Sequence, residues 1–141
     1  MDEIGALTLK QPWAWAVIQG YKDVENRSWR TSHRGLLLIH AGQEIDAAGF
    51  EFIWKRGLHK ALPGDLPMGR IVGSVRLADV VRGYPSKWAT RGAWHWVLSG
   101  PREFRTPLVC RGGQKLFHPA VNPRALAQAR RQAIRHRKRD P

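Results

Sequence analysis

Short apolar segments, separated by turns that contain Gly or Pro, recur along this sequence and limit the folds that it can adopt. Their length and their content of β-branched residues are typical of β-strands. The predicted strands are residues 6–9, 23–29, 35–41, 70–81, 94–98, 105–110 and 115–118. Two predicted helices interrupt the series early, at residues 11–20 and 44–56, and each ends at a glycine. This order predicts an α+β fold whose strands form a small barrel or meander.

Length and composition predict one domain. A chain of 141 residues with 43% hydrophobic content buries enough apolar surface for a single core. The single cysteine, Cys110, excludes an intrachain disulfide and is expected to be a small buried hydrophobe. The acidic opening Met1-Asp2-Glu3 is unlike a secretory signal, and the purest apolar run, residues 36–39, is far shorter than the ~20 residues of a membrane helix. We therefore expect a cytoplasmic protein that is neither exported nor membrane-spanning.

The charge is strongly basic and unevenly distributed. The formal net charge is +13, and arginine outnumbers lysine 17 to 7. Residues 1–100 contain 13 basic and 9 acidic residues, whereas residues 101–141 contain 11 and 2. Such a surface attracts polyanions, and the planar guanidinium suits phosphate contacts and stacking on bases. The alternative is a solvated basic surface without a polyanionic partner.

The C-terminal end is predicted to be a basic helix. Asn122-Pro123 has the pattern of an N-cap followed by proline in the first helical position, and residues 124–139 contain no helix breaker. We therefore divide the chain into a barrel domain at residues 1–121 and a basic helix or tail at residues 122–141. The last basic residues, 136–139, either continue the helix or form a disordered segment that holds phosphates.

Residues 7–42 contain the densest cluster of candidate site residues. They bring a lysine, a glutamate and several arginines close to three tryptophans in the chain, which is the mixture that a pocket for a splayed-out base requires. The alternative is that the tryptophans are core residues and the charges form a solvated strip of ion pairs. The predicted nucleic-acid-binding residues are Trp13, Lys22, Glu25, Arg27, Arg30 and Arg34, with Arg130, Arg131 and Arg135 at the C-terminal end.

The octapeptide GYKDVENR at residues 20–27 matches the pattern G-x-K-x-x-E-x-R. In this the chain resembles the ASCH domain, a member of the PUA-like β-barrel superfamily, and further landmarks extend the resemblance over residues 7–119. The resemblance implies a small PUA-like β-barrel with two early helices, to which this chain adds the basic C-terminal helix. It also implies a cleft for RNA, more than for DNA, where the motif meets the strands of the barrel.

The resemblance also implies roles for the motif residues. Lys22 would face the cleft, Glu25 would accept hydrogen bonds from a base edge or orient Lys22, and Arg27 would bind phosphate or hold Glu25. Strand geometry adds a condition, because residues 22 and 25 lie on opposite faces of a regular strand. Lys22 therefore meets Glu25 only if it lies in the turn before the strand, for which Gly20 is well suited.

Enzymatic activity is the alternative function. Some similar proteins hydrolyse N4-acetylcytidine with a threonine three residues after the motif lysine, but Glu25 occupies that place here. A water activated by Glu25, with Lys22 stabilising the oxyanion, would be a general-base version. A ribonuclease would need a base and an acid, for which His33, His40, Lys22 and Arg27 are candidates, although His40 at the end of an apolar strand is expected to be a core residue.

Other partners are not indicated. The six histidines and Cys110 lack metal-ligand spacing, so we predict no metal and no cofactor. Trp94 and Trp96 share one sheet face and are either core residues or a second stacking platform. A third possibility is a protein-interaction module within a larger nucleic-acid-processing assembly. The sequence does not indicate an oligomeric state.

Overall fold

A computed structural model describes residues 4–140, so the acidic opening Met1-Asp2-Glu3 and the final Pro141 lie outside the described residues. The strands of this part are β1 (Ala6–Gln11), β2 (Val24–Arg27), β3 (Gly35–Ile45), β4 (Arg70–Val81), β5 (Trp94–Val109), β6 (Leu116–Phe117) and β7 (Ile134–Arg135). Its helices are α1 (Trp13–Ile18), α2 (Ala47–Lys55) and α3 (Pro123–Gln132), with a short 3₁₀ helix at Leu58–Ala61. None of the helices in residues 4–140 is long and apolar enough to cross a membrane.

The strands form one mixed sheet in the order β2-β5-β4-β3-β1-β6, and β7 adds to another part of β5. β1 and β3 are parallel, and the other pairs are antiparallel. The sheet is a curled half-barrel, because β2 and β6, at the ends of this path, are not paired with each other in the described part of the chain. The predicted closed barrel is corrected in this respect. The end strands have four and two residues, which is too short to complete the ladder, and α1 packs against β1, β3, β4 and β5.

The two faces of the sheet pack against different layers. Along β3, Leu37 and Ile39 belong to the core cluster that includes residues of α1, whereas Leu38 belongs to the cluster that includes residues of α3. This is the period of two that a strand buried on both faces requires. α3 contributes Leu126 and Ala129 to the second cluster, so this basic helix packs on the sheet by a narrow apolar stripe.

Several predicted elements are found at their predicted places. β4 has the predicted bounds, 70–81, and the register with β5 shifts next to Gly73. A Cβ at Gly73 would collide with the carbonyl of Arg102, so the backbones of β4 and β5 approach closely at this glycine. Gly57, predicted to end the second helix, has φ +72°.

Three predicted boundaries are wrong. The predicted strands at residues 94–98 and 105–110 are merged into one strand, β5, which ends at Val109, because shifts of register accommodate the turn-like residues between them. β3 continues to Ile45, so the second helix begins three residues later than predicted. The C-terminal helix starts at Pro123, with Asn122 as its cap, but ends at Gln132 rather than continuing to residue 139. The next residues pair with β5 as β7, because backbone hydrogen bonds to this strand compete with continuation of the helix.

Candidate functional site

The turn between α1 and β2 sets the position of the motif lysine. The chain passes through Gly20 at φ +88°, and the amides of Tyr21 and Lys22 both donate to the carbonyl of Ala16 at 3.0 Å. Lys22 therefore precedes the regular part of β2. This is the arrangement that strand geometry requires if residue 22 is to meet Glu25.

The three charged side chains of the motif form one continuous chain of ion pairs. The Glu25 carboxylate places Oε1 2.7 Å from Lys22 Nζ and Oε2 3.1 Å from Arg27 Nη2. Arg27 Nη2 also donates to the carbonyl of Thr8 at 2.9 Å, and this bond ties β2 to β1. The guanidinium Nε of Arg27 is buried and has no hydrogen-bond partner among residues 4–140.

Burial divides this chain of ion pairs into a structural part and an accessible part. Lys22 and Glu25 are 5% and 9% exposed, and the ammonium also donates to the carbonyl of Val24. The Arg27 side chain is 25% exposed and is the member that solvent reaches most easily. A hollow of about 310 Å³ adjoins Lys22, but neither Glu25 nor Arg27 lines it. The structure thus brings the three groups together without placing all of them in one open hollow.

The same contacts limit what Lys22 and Glu25 can do as catalytic groups. Each carboxylate oxygen of Glu25 already has a cation next to it, through a hydrogen bond from Lys22 and an ion pair with Arg27, and the ammonium of Lys22 is bound to two oxygens. A water activated by Glu25 would have to displace one of these cations. In the arrangement observed, Glu25 holds Lys22 and Arg27 in place.

Trp13 is half-buried and serves as a cover for the motif lysine. Its ring centroid lies 5.4 Å from the Lys22 ammonium, and its indole N–H donates to Asp46 Oδ2 at 2.8 Å. Phe52 and Trp88 contact the same ring edge-on, at centroid distances of 5.6 and 6.4 Å. The hydrogen bond from Trp13 is the main cause that lowers the pKa of Asp46. These contacts fix the ring from several sides.

A second cationic hollow contains the predicted residues Arg30 and Arg34. It has a volume of about 480 Å³ and includes the half-buried Trp94. The guanidinium carbons of Arg30 and Arg82 lie 5.4 and 4.5 Å from the centroid of the Trp94 ring, whereas Arg34 makes an exposed ion pair of 3.5 Å with an aspartate of β4. Arg27 is paired directly with Trp94 across β2 and β5. The motif arginine is therefore a cross-strand neighbour of this aromatic ring.

The two tryptophans of β5 have different environments. Trp96 is fully buried and contacts Trp29 edge-on at 4.7 Å, so it is a core residue. Trp94 is partly exposed between two arginines. Sequence reasoning did not find Arg82, because the pairing of β4 with β5 that brings it to Trp94 is not visible in local spacing.

A third cationic hollow, the arginine groove, has a volume of about 570 Å³. The predicted residues Arg130 and Arg135 line it, whereas Arg131 is exposed outside its lining. Its arginines are Arg76, Arg102, Arg130, Arg135 and Arg137. Three of these were missed by sequence reasoning, because β4, β5 and the last residues meet here from remote parts of the chain.

The segment that follows α3 is bound to the rest of the protein by its backbone. The amide of His136 donates to the carbonyl of Pro101 at 3.0 Å, and the amide of Arg139 donates to the carbonyl of Gly20 at 2.7 Å. A Cβ at Gly20 would collide with the carbonyl of Arg137. We call residues 134–139 the C-terminal segment. It is ordered against the motif turn, and it also lines the hollow beside Lys22.

Side chains add to this attachment. Lys138 Nζ lies 3.2 Å from Asp23 Oδ2, and this hydrogen bond and charge raise the pKa of Lys138. His136 Nε2 lies 2.8 Å from Glu103 Oε1, and the same oxygen accepts a hydrogen bond from Gln19 at 3.0 Å. The C-terminal segment is thus joined both to the motif turn and to β5.

The histidines considered for catalysis have structural partners. His40 is 2% exposed, with Nε2 2.6 Å from the carbonyl of Cys110 and Nδ1 3.1 Å from Thr8 Oγ1. This confirms the prediction of a hydrogen-bonded core residue. His33 Nε2 lies 2.8 Å from the carbonyl of Leu36. Within residues 4–140, no group of three or more His, Cys, Asp or Glu side chains could hold a metal ion.

A further hollow lies apart from the motif. It has a volume of about 760 Å³ and is bordered by α1, by residues 61–68 and by β4 and β5. Its lining mixes Arg70 and Arg105 with Asp65 and Glu103. Because both signs of charge are present, it lacks the uniformly cationic character of the arginine groove.

The family of this protein is defined by comparison with known sequences. A family model described as the ASCH domain matches residues 7–107, which is more than half of the chain. The chain therefore belongs to the ASCH domain family, as the octapeptide at residues 20–27 predicted.

Among individual proteins, the chain is similar to activating signal cointegrator 1 of Mus musculus and of Homo sapiens, each 39% identical over 79 residues. Each alignment covers 52% of this chain and 14% of the relative, so the likeness concerns a small part of those proteins.

Proposed function

We propose that this protein binds single-stranded nucleic acid, with RNA preferred to DNA. The observation that carries the proposal is the cross-strand pairing of the motif arginine, Arg27, with the half-buried Trp94, whose ring lies close to the guanidiniums of Arg30 and Arg82. An accessible aromatic ring among arginines is the combination that single-strand binders use, because stacking tolerates any base and the cations hold the backbone. Membership of the ASCH family and the net charge of +13 support the same partner.

In this proposal the motif residues have different tasks. Arg27 contacts the nucleic acid, and Lys22 and Glu25 hold Arg27 in position through their buried ion pairs. Trp13 covers Lys22 and stabilises the motif turn. Arg30 and Arg34 extend the cationic surface around Trp94. Contacts with the sugar-phosphate backbone of the nucleic acid come from the C-terminal arginines Arg130, Arg131 and Arg135.

Salt dependence tests the electrostatic part of the proposal. The affinity for a fluorescent 12-nucleotide RNA, measured by anisotropy, should fall with rising salt with a log–log slope of about −2 or steeper, since each phosphate contacted on a single strand contributes about −0.7. Trp94→Ala should weaken binding by about 1–3 kcal/mol, the cost of one lost base stack, and leave the slope unchanged.

Trp54→Ala is the matched control, because Trp54 is an exposed tryptophan, 65% accessible, that is stacked on His59 away from the Trp94 hollow. Equal losses in the two tryptophan variants, or a flat salt dependence of the native protein, would contradict the proposal.

A hydrolase acting on N4-acetylcytidine or on RNA is the alternative, and the direct contact of Lys22 with Glu25 is its support. Turnover of either substrate by pure protein, abolished in both Lys22→Ala and Glu25→Ala while the fold is retained, would favour it. Turnover that survives both substitutions would exclude this site.

A further inference from the structure

We infer that the arginine groove is a built site for consecutive phosphates of a nucleic-acid strand, formed jointly by the ASCH domain and the C-terminal segment. The inference rests on the proposed function, and it assigns the sugar-phosphate backbone of the nucleic acid to the arginine groove. Arg76 and Arg102 come from β4 and β5, within the residues that match the family. Arg130, Arg135 and Arg137 come from outside that match. The proposed site therefore combines arginines from inside and outside the family match.

The first argument is the absence of neutralising partners. Each of the five arginines is exposed, and none makes an ion pair or side-chain hydrogen bond with another residue in the described part of the chain. Other surface cations do have partners, among them Lys10 with Glu44 at 3.4 Å and Lys55 with Glu51 at 3.1 Å. Guanidiniums gathered without counter-charge repel one another, and a bound polyanion removes that cost.

The second argument is the composition of the lining. Among residues 4–140, no aspartate or glutamate lines the arginine groove. The carboxylate next to Arg102 in the chain, that of Glu103, is not part of the lining, and it contacts Gln19 and the groove residue His136. Ser74, 4% exposed, also lines the groove. A hydroxyl and several guanidiniums are the donors that phosphate oxygens accept from.

The third argument is preorganisation. β7 pairs with β5, so that Arg135 lies directly opposite Arg102 in the ladder. The amides of His136 and Arg139 fix the residues on both sides of Arg137. Because the backbone is already ordered, binding costs less conformational entropy than it would for a disordered basic tail.

The fourth argument is continuity with the proposed stacking surface. The chain passes from Arg34, in the lining of the Trp94 hollow, to Leu36, in the lining of the arginine groove, within two residues. A short stretch of β3 and the loop before it therefore connects the linings of the two hollows.

A charge-matched comparison tests the inference. The groove pair, Arg102→Gln with Arg135→Gln, should lower the affinity for the 12-nucleotide RNA at least tenfold and make the salt slope shallower by about 1.4, which corresponds to two single-strand phosphate contacts. The control pair, Arg91→Gln with Arg124→Gln, removes the same charge from exposed positions outside the groove and should change the affinity less than threefold, with the slope unchanged. DNA of the same sequence should show the same difference, since both strands carry the same phosphates.

The outcomes separate the two proposals. If both pairs weaken binding alike, the groove is not a site, although salt-dependent binding by the native protein would still support the proposed function. If the native protein binds neither RNA nor DNA, both proposals fail. An effect of the groove pair on RNA alone would contradict recognition of phosphate. Arg102→Lys with Arg135→Lys, which keeps the charge, should retain the native salt slope, and it serves as the second variant if the glutamine pair does not fold.

Discussion

At the scale of single residues, the resemblance to the ASCH motif implied the meeting of three charged groups but not their burial. The turn at Gly20 and the parity of β2 were sufficient to bring Lys22 to Glu25. The aromatic residues Phe52 and Trp88, which pack with Trp13 over this place, come from remote segments that local spacing does not connect. For this reason the ion pair of Lys22 and Glu25 is buried, although the sequence alone was compatible with a solvated pair.

The enclosed ion pair leads to a stability prediction. Glu25→Ala leaves the Lys22 ammonium buried without its carboxylate, so the free energy of unfolding in urea should fall by about 3 kcal/mol or more. The double variant Lys22→Met with Glu25→Leu removes both charges and should recover a large part of this loss. A loss below about 0.5 kcal/mol in the single variant would mean that solvent reaches the pair freely.

At the scale of elements, the type and order of most strands and helices could be predicted, and the errors lie where two elements compete for the same residues. Residues 44 and 45 have the spacing of a helix, but Ile45 is paired with Gln11 of β1. Both residues therefore belong to β3 and not to α2. Asp46 ends this strand, because its amide donates to the Gln11 carbonyl while its carboxylate caps α2 by accepting from the amide of Gly49 at 3.2 Å. The boundary between β3 and α2 thus depends on the pairing with β1, which the spacing of residues in the sequence does not reveal.

The cap of α2 gives a pH-dependent prediction. The hydrogen bond from Trp13 lowers the pKa of Asp46 in the folded state, so the ionised carboxylate adds stability above its unfolded pKa of about 3.9, and this is lost as the pH falls through the lower folded value. Asp46→Asn keeps a capping side chain but removes the charge. Its deficit in unfolding free energy, of the order of 1 kcal/mol at pH 7, should shrink as the pH approaches 3. A deficit independent of pH would contradict this account.

At the scale of the whole molecule, the sequence predicted the family, the α+β class and the excess of charge at the C-terminal end. It did not predict that this end folds back onto the motif turn. The contact is made mainly by backbone groups, as between Arg139 and Gly20, and side-chain patterns carry little information about such bonds. The arginine groove could not be predicted for the same reason, since it exists only after β7 has paired with β5.

Two glycines test the attachment of the C-terminal segment. Gly20→Ala and Gly57→Ala both force a side chain onto a left-handed residue, at φ +88° and +72°, and should cost a similar ~1 kcal/mol or more. Only at Gly20 would the new Cβ also strike the carbonyl of Arg137, since nothing lies within 4 Å of the corresponding position at Gly57. Amide hydrogen exchange at residues 136–139 should therefore accelerate in Gly20→Ala and stay native in Gly57→Ala. Equal exchange in both would show that this contact does not hold the segment.

The double use of His136 and Arg137, which border both the arginine groove and the hollow beside Lys22, has a thermodynamic consequence. A molecule that contacts these two residues in one hollow therefore changes the free energy needed to displace them from the other hollow. Binding of an anion in the arginine groove would thus be thermodynamically linked to access to Lys22. By reciprocity, a molecule that displaces the C-terminal segment from the motif turn would also lower the affinity of the groove for phosphate.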